Sequence, residues 1–150
     1  MFYLLNFFLS LGIIVLMSQV GETFFTSVGC MDGRVQGPIA KYGQNKFGAK
    51  YADTITEAGL VGQIIKKNVN PKLLESIKNK ILISLSKHLS RGIVVHGHQE
   101  CAGNSISDEQ HKEETREAAK IIKAMLGAMD LEVTPLFIIR SGENWIVEEL

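Results

Sequence analysis

Two short stretches of this 150-residue chain carry side chains that can bind a metal. His98 and Cys101 stand three residues apart, directly after the apolar, β-branched run at 93–95. Cys30 follows a second run rich in aromatic and β-branched residues. Thiolate and imidazole groups are ligands that zinc prefers. Each stretch alone is half a site, so the sequence predicts a zinc site only if the fold brings the two together.

Three ligands around one zinc ion leave a fourth position open, which is typical of catalytic rather than structural zinc sites. A zinc ion lowers the pKa of bound water towards neutrality and supplies hydroxide as a nucleophile. Asp32, two residues after Cys30, can accept a hydrogen bond from that hydroxide, and Arg34 can hold Asp32 ionised. Two alternatives stay open: Asp32 could be the fourth ligand, or Cys30 could be a core residue beside a surface ion pair.

Strands and helices alternate along the rest of the chain. Apolar runs predict strands at 23–29, 51–55, 93–96 and 133–139, and a short terminal piece at 143–150. Helical periodicity predicts helices at 36–47, 60–67, from Pro71 to about 90, and 108–129, the last with a Ser107–Gln110 capping box. This order predicts an α/β fold with a mostly parallel β-sheet flanked by helices. Ligands bind beyond the carboxyl ends of such strands, where Cys30, Gly59 and His98 all fall.

Composition excludes some functions. The formal net charge is zero, so no basic surface is predicted for nucleic acid. The chain has two cysteines, which would pair in an oxidising compartment and bind metal or stay reduced elsewhere.

Residues 1–21 form an almost wholly apolar segment with no charged side chain, which suits a signal-peptide core, a membrane span or an extension outside the working domain. No Lys or Arg precedes the apolar run, which argues against export. We therefore assign residues 22–150 to a single zinc-binding domain and expect a cytoplasmic protein. The alternative is a protein exported or anchored through residues 1–21, and only that segment would contact a membrane.

Together the motifs resemble the β-class carbonic anhydrases. Cys30-x-Asp32-x-Arg34 and His98-x-x-Cys101 occur in that family's order and at family-like separation, and the likeness covers most of residues 24–126. The resemblance implies reversible hydration of carbon dioxide to bicarbonate, zinc ligands Cys30, His98 and Cys101, an Asp32–Arg34 dyad, and a homodimer or higher homo-oligomer. It departs from the family at Thr56-Glu57, which replace Arg-Asn, and at Cys101-Ala102-Gly103, which replaces Cys-Gly.

Two other functions remain open for the same residues: a zinc-binding module without activity, and a hydrolase of a molecule like carbon dioxide, such as carbonyl sulfide or carbon disulfide. His96 faces the same side of the strand as His98 and is either a packed histidine, a proton relay or another ligand. Gln36 suits substrate binding or a turn. We expect His88 and His111 on helix surfaces, and Trp145 as a packing or interface anchor.

Overall fold

The computed structural model describes residues 21–150. The segment predicted at 1–21 therefore lies, except for Gly21, outside the described residues, and the predictions about it stay predictions. The strands are β1 (Phe24–Cys30), β2 (Tyr51–Glu57), β3 (Ile93–His98), β4 (Val133–Ser141) and β5 (Asn144–Glu149). The helices are α1 (Gly33–Phe47), α2 (Leu60–Ile64), α3 (Pro71–Lys87) and α4 (Asp108–Met125). No helix within 21–150 is long and apolar enough to cross a membrane.

The five strands form one sheet in the order β2-β1-β3-β4-β5. The first four are parallel, and β5 runs antiparallel to β4 as the second arm of a hairpin. Strand β3 is buried along its whole length, and β1 along all but its first residue, as expected for central strands covered on both faces. The α/β fold with a mostly parallel sheet is thus confirmed, and the terminal piece predicted at 143–150 is the strand β5.

Helices cover both faces of the sheet. Helix α1 packs on one face, where Val35 and Ile39 meet Phe25, Val94 and Ile138. The other three helices share the opposite face, on a cluster built from one set of residues: Val28, Leu60, Ile64, Ile77, Ile81, Val95, Ala118 and Ile122. The alternation of residues along β1 and β3 between these two clusters fixes which side chains reach each layer.

Capping residues set where the helices begin. The side chain of Asp32 accepts a hydrogen bond from the backbone N–H of Arg34, so α1 begins at Gly33, earlier than the predicted residue 36. Ser107 caps α4 through the N–H of Gln110, as the predicted capping box requires. Helices α2 and α4 end at Ile64 and Met125, before the predicted 67 and 129.

Candidate metal centre

Cys30 and His98 are the last residues of the neighbouring parallel strands β1 and β3, so their side chains meet at the same edge of the sheet. Cys101 follows in the loop after β3, which we call the ligand loop (residues 98–101). One ligand atom from each of these three residues lies within 4.8 Å of the other two, and all three residues are buried. The two sulfur atoms are 3.7 Å apart and belong to free cysteines. The structure therefore brings together the three residues predicted as ligands, and this group could hold a metal ion.

The imidazole of His98 fits a metal ligand. Its Nδ1 lies 2.7 Å from the carbonyl oxygen of Gln99, which can only accept, so Nδ1 carries the proton and donates. Nε2 is then left as an acceptor, and it is buried without a hydrogen-bond partner in the structure. A buried, unsatisfied nitrogen is costly. A metal ion beside the two thiols would satisfy it, and the backbone bond at Nδ1 is the usual support of a ligating histidine.

The two thiols differ in acidity. Burial raises the pKa of Cys30, but His98 and the backbone N–H groups of Gly59 and Asp32 outweigh burial and lower this pKa to about 6. Burial and the neighbouring negative Cys30 both raise the pKa of Cys101, whose thiol donates to the Cys30 sulfur. Cys30 is thus the more acidic of the two thiols, and a cation at this position would favour deprotonation of both.

A backbone contact between two loops holds the thiols in place. The N–H of Gly59, in the turn after β2, donates to the Cys30 sulfur at 3.5 Å. Gly59 has a φ of 57°, in the left-handed region, and a Cβ there would lie 2.2 Å from the carbonyl oxygen of Gly103. Only glycine allows this conformation and this approach. The turn after Thr56-Glu57 therefore supports Cys30 and the segment after Cys101.

Asp32 and Arg34 form a close ion pair at the start of α1. Arg34 donates through Nε and Nη2 to the two carboxylate oxygens of Asp32, the shortest distance being 2.7 Å. These hydrogen bonds lower the pKa of Asp32 to about 2, so the carboxylate is ionised across the physiological range. The pair arises from the capping turn and not from a strand running past Cys30, because β1 ends at Cys30. Among residues 21–150, the group able to bind a metal does not include Asp32.

Three residues that the sequence did not connect with Arg34 surround it. Glu100, in the ligand loop, accepts from Nη1 of Arg34 at 3.1 Å and from Arg140 at 3.0 Å. The indole of Trp145 lies under both guanidinium groups, at 4.8 Å from Arg34 and 4.7 Å from Arg140. Its ring is also edge-on to His98, with centroids 6.4 Å apart. Trp145 thus packs against the site, as predicted for a packing anchor.

His96 is a packed strand histidine. It is fully buried, and burial lowers its pKa to about 3, so the ring is neutral. Gly29 on the adjacent strand makes room for it, since a Cβ at Gly29 would lie 2.4 Å from His96 Nε2. Within the part of the chain that the structure describes, the metal-binding group excludes His96. Gln36 also has a structural role, because its amide donates to the backbone oxygens of Cys30 and Asp32.

The prediction that His111 lies on a helix surface is wrong. Its side chain is 3% exposed and packs against His98 and Phe137. His111 lines a cavity of about 330 Å³ next to the ligand loop. The wall of this cavity also includes His98, Cys101, Asn104, Ser105 and Ile106. His88, by contrast, has a side chain that is 44% exposed, as predicted, and pairs with Asp53 at 2.7 Å. The charged start of α4 therefore contributes one side chain to the site.

These features define a class: an α/β protein with a buried Cys-His-Cys group at the carboxyl edge of a parallel sheet, beside an Asp–Arg pair. The family model described as "Putative carbonic anhydrase" matches residues 20–150. The chain belongs to this family. A search of curated proteins and a search of solved structures each found no match.

Proposed function

We propose that this protein catalyses the reversible hydration of carbon dioxide to bicarbonate, with a zinc ion held by Cys30, His98 and Cys101. The observation that carries the proposal is the buried group of Cys30, His98 and Cys101, whose ligand atoms lie within 4.8 Å of one another and in which His98 Nε2 has no partner in the structure. The family, matched over residues 20–150, supports the same reaction.

Zinc is the metal that this donor set favours. Two thiolates and one imidazole select a soft or borderline cation, and three protein ligands leave one position for a water or a substrate. Zinc bound there would lower the pKa of a water molecule towards neutrality and so supply a nucleophile. Burial of the three ligands excludes bulk water from their side of the site, which strengthens electrostatic interactions there.

Asp32 would orient the nucleophile. An ionised carboxylate accepts hydrogen bonds and donates none, so it binds the hydrogen of a reacting hydroxyl and turns a lone pair towards the carbon atom of the substrate. Its pKa of about 2 keeps it ionised, and the hydrogen bonds from the Arg34 side chain keep it from rotating. The same preference would exclude, from the position next to Asp32, an anion that has no proton to donate.

The cavity beside the ligand loop would admit the substrate. Its volume of about 330 Å³ is ample for carbon dioxide or bicarbonate, and Asn104, Ser105 and His111 provide polar groups along its wall. We further propose a homodimer or higher homo-oligomer, as the family resemblance implies, and a cytoplasmic location. Light scattering of the purified full chain would test the oligomeric state, and a single monomeric mass would contradict it.

The test compares zinc content and activity in the full chain. Stopped-flow measurement of carbon dioxide hydration in the zinc-loaded protein should show catalysis. Asp32→Asn should keep about one zinc per chain and lose about 10²-fold or more in kcat/KM. Glu113→Gln is the matched control, because it breaks a carboxylate–arginine pair with Arg116 on an exposed face of α4.

Three results would contradict the proposal. A folded chain that binds no zinc would remove the metal, and a zinc-loaded chain without activity would indicate a binding module. A chain that hydrolyses carbonyl sulfide or carbon disulfide but leaves carbon dioxide unchanged would assign a different substrate to the same site.

A further inference from the structure

Arg34 has more partners than the carboxylate it orients. Besides the bonds to Asp32, its Nη1 donates to Glu100 Oε2 at 3.1 Å and its Nη2 donates to the Glu100 carbonyl oxygen at 3.3 Å. Its guanidinium carbon lies 4.8 Å from the centroid of the Trp145 indole. Each nitrogen of this guanidinium therefore donates to an acceptor, and the group lies over an aromatic ring.

Glu100 is itself held from a second side. Arg140 donates from Nε to Oε1 at 3.1 Å and from Nη2 to Oε2 at 3.0 Å, and it also contacts the Trp145 ring. Glu100 stands between two predicted ligands and has a φ of 55°, a left-handed conformation that is unusual outside glycine. The two arginines therefore hold both the carboxylate and the backbone of the ligand loop.

This arrangement solves a problem that Asp32 and Arg34 alone would leave open. The Arg34 side chain is 39% exposed, and an exposed ion pair in water is weak and mobile. The contact with the indole and the hydrogen bond to a second carboxylate hold the guanidinium, so that Nε and Nη2 point to Asp32. Because Arg34 and Arg140 are balanced by Asp32 and Glu100, the orientation is gained without adding net charge beside the metal group.

We propose that Glu100, Arg140 and Trp145 are positioning residues that seat Arg34 and, through it, orient Asp32. The inference rests on the proposed function, since the orientation of Asp32 affects a reaction only there. It assigns to the β4–β5 hairpin, more than 100 residues after Asp32 in the chain, a direct part in building the site. Without these three residues, the Arg34 side chain rotates into solvent, and Asp32 keeps only the capping bond from the Arg34 backbone N–H.

The experiment follows the NMR signal of the Arg34 side chain. In ¹H–¹⁵N spectra of the zinc-loaded full chain, the Nε–H of Arg34, assigned with Arg34→Lys, should be shifted by the indole ring and protected from water, because it donates to Asp32 at 3.0 Å. Trp145→Leu should move the signal to the position of free arginine and speed its exchange. The same variant should lower kcat/KM for carbon dioxide hydration about 2- to 5-fold, as expected for one cation–π contact at a part-exposed site.

Companion variants separate positioning from folding. Trp145→Phe keeps an aromatic face and should restore most of the signal and of kcat/KM. Glu100→Gln, at a side chain 52% exposed, leaves the core intact and should displace the signal as well. Ile146→Ala is the control, since Ile146 neighbours Trp145 on β5 but is 47% exposed and should change neither readout.

The outcomes discriminate between the two proposals. An Arg34 signal unchanged in both Trp145→Leu and Glu100→Gln overturns the positioning role, as does a displaced signal with unchanged kcat/KM. If the wild-type chain has no hydration activity, the proposed function fails by itself. The positioning role of Glu100, Arg140 and Trp145 is then tested by the Arg34 signal alone. Displacement of that signal in Trp145→Leu and its recovery in Trp145→Phe support the role.

Discussion

Replacing Gly59 by alanine tests whether the backbone contact between two loops holds the metal centre together. The new Cβ would lie 2.2 Å from the Gly103 carbonyl oxygen and 2.4 Å from its carbon, where ordinary contacts are 3.4–4 Å. Both atoms belong to the backbone, so no side-chain rotation relieves the overlap. The turn after β2, or the segment after Cys101, must therefore move by about 1 Å, and Cys30 loses its hydrogen bond from the Gly59 N–H.

Two terms set the size of the effect. Alanine in a left-handed conformation costs about 1 kcal/mol, part of which is offset by the stiffer unfolded chain. Overpacking against rigid neighbours costs about 1–3 kcal/mol. Gly59→Ala should therefore lower the free energy of unfolding by about 2–4 kcal/mol. Because the hydrogen bond to the Cys30 sulfur is a supporting contact of the metal group, zinc affinity should fall about 10-fold or more.

Gly127→Ala is the matched control. Gly127 has a φ of 65°, close to that of Gly59, but a Cβ there meets nothing within 4 Å. This variant has the backbone strain without the overlap, so we expect a loss of about 1 kcal/mol and unchanged zinc affinity. The assay is urea unfolding of the full chain by circular dichroism, with and without zinc, together with chelator competition for zinc. Equal destabilisation by the two substitutions, or unchanged zinc affinity in Gly59→Ala, would refute the reasoning.

Two further predictions concern the thiols and the central strands. In the metal-free protein, Cys30 should react with iodoacetamide with a midpoint near pH 6 and Cys101 only at much higher pH, as followed by peptide mass spectrometry. Bound zinc should protect both thiols from the reagent. Equal reactivity of the two thiols in the metal-free protein would contradict the assigned acidities. Gly29→Ala should destabilise the fold by about 1–3 kcal/mol, because the new Cβ overlaps His96. In a double-mutant cycle of unfolding free energies, adding His96→Ala should recover part of that loss. Strictly additive losses would contradict a direct contact between the two residues.

The sequence is sufficient to predict that Cys30 and His98 lie close together at one edge of the sheet. The apolar runs before Cys30 and His98 identify two buried strands, and their alternation with helices implies that the strands are parallel. Parallel strands end at one edge, so a thiol and an imidazole at two strand ends must be close. That inference uses only local patterns, and local patterns are what a single sequence displays.

Contacts between distant side chains leave no such local signal. Glu100, Arg140 and Trp145 stand far from Arg34 in the chain, and nothing in their spacing indicates that they surround it. Helix α1 was predicted to begin at 36, but it begins at Gly33. The hydrogen bond from the Arg34 N–H to the Asp32 side chain caps the helix there, and it depends on the chain turning after Cys30.

His111 illustrates a different difficulty. The start of α4 is rich in charge, which predicts a solvated face, yet His111 and Thr115 lie one turn apart on the face turned to the sheet, and both are buried. They fit there because Gly97 has no side chain: a Cβ at Gly97 would lie 2.5 Å from Thr115 Oγ1. Gly97, on the strand that α4 covers, therefore leaves room for polar residues of the helix to face the sheet. This fit between a glycine and a distant helix is visible only in three dimensions.

The most direct test of the central claim is the exchange of ¹⁸O between labelled carbon dioxide and water, followed by mass spectrometry in the presence of the zinc-loaded full chain. We predict that the wild-type protein accelerates loss of the label, and that Cys101→Ser, which removes one of the three ligands from the group, reduces both bound zinc and the acceleration. A folded, zinc-loaded wild-type protein that leaves the rate of label loss at its uncatalysed value would contradict the claim.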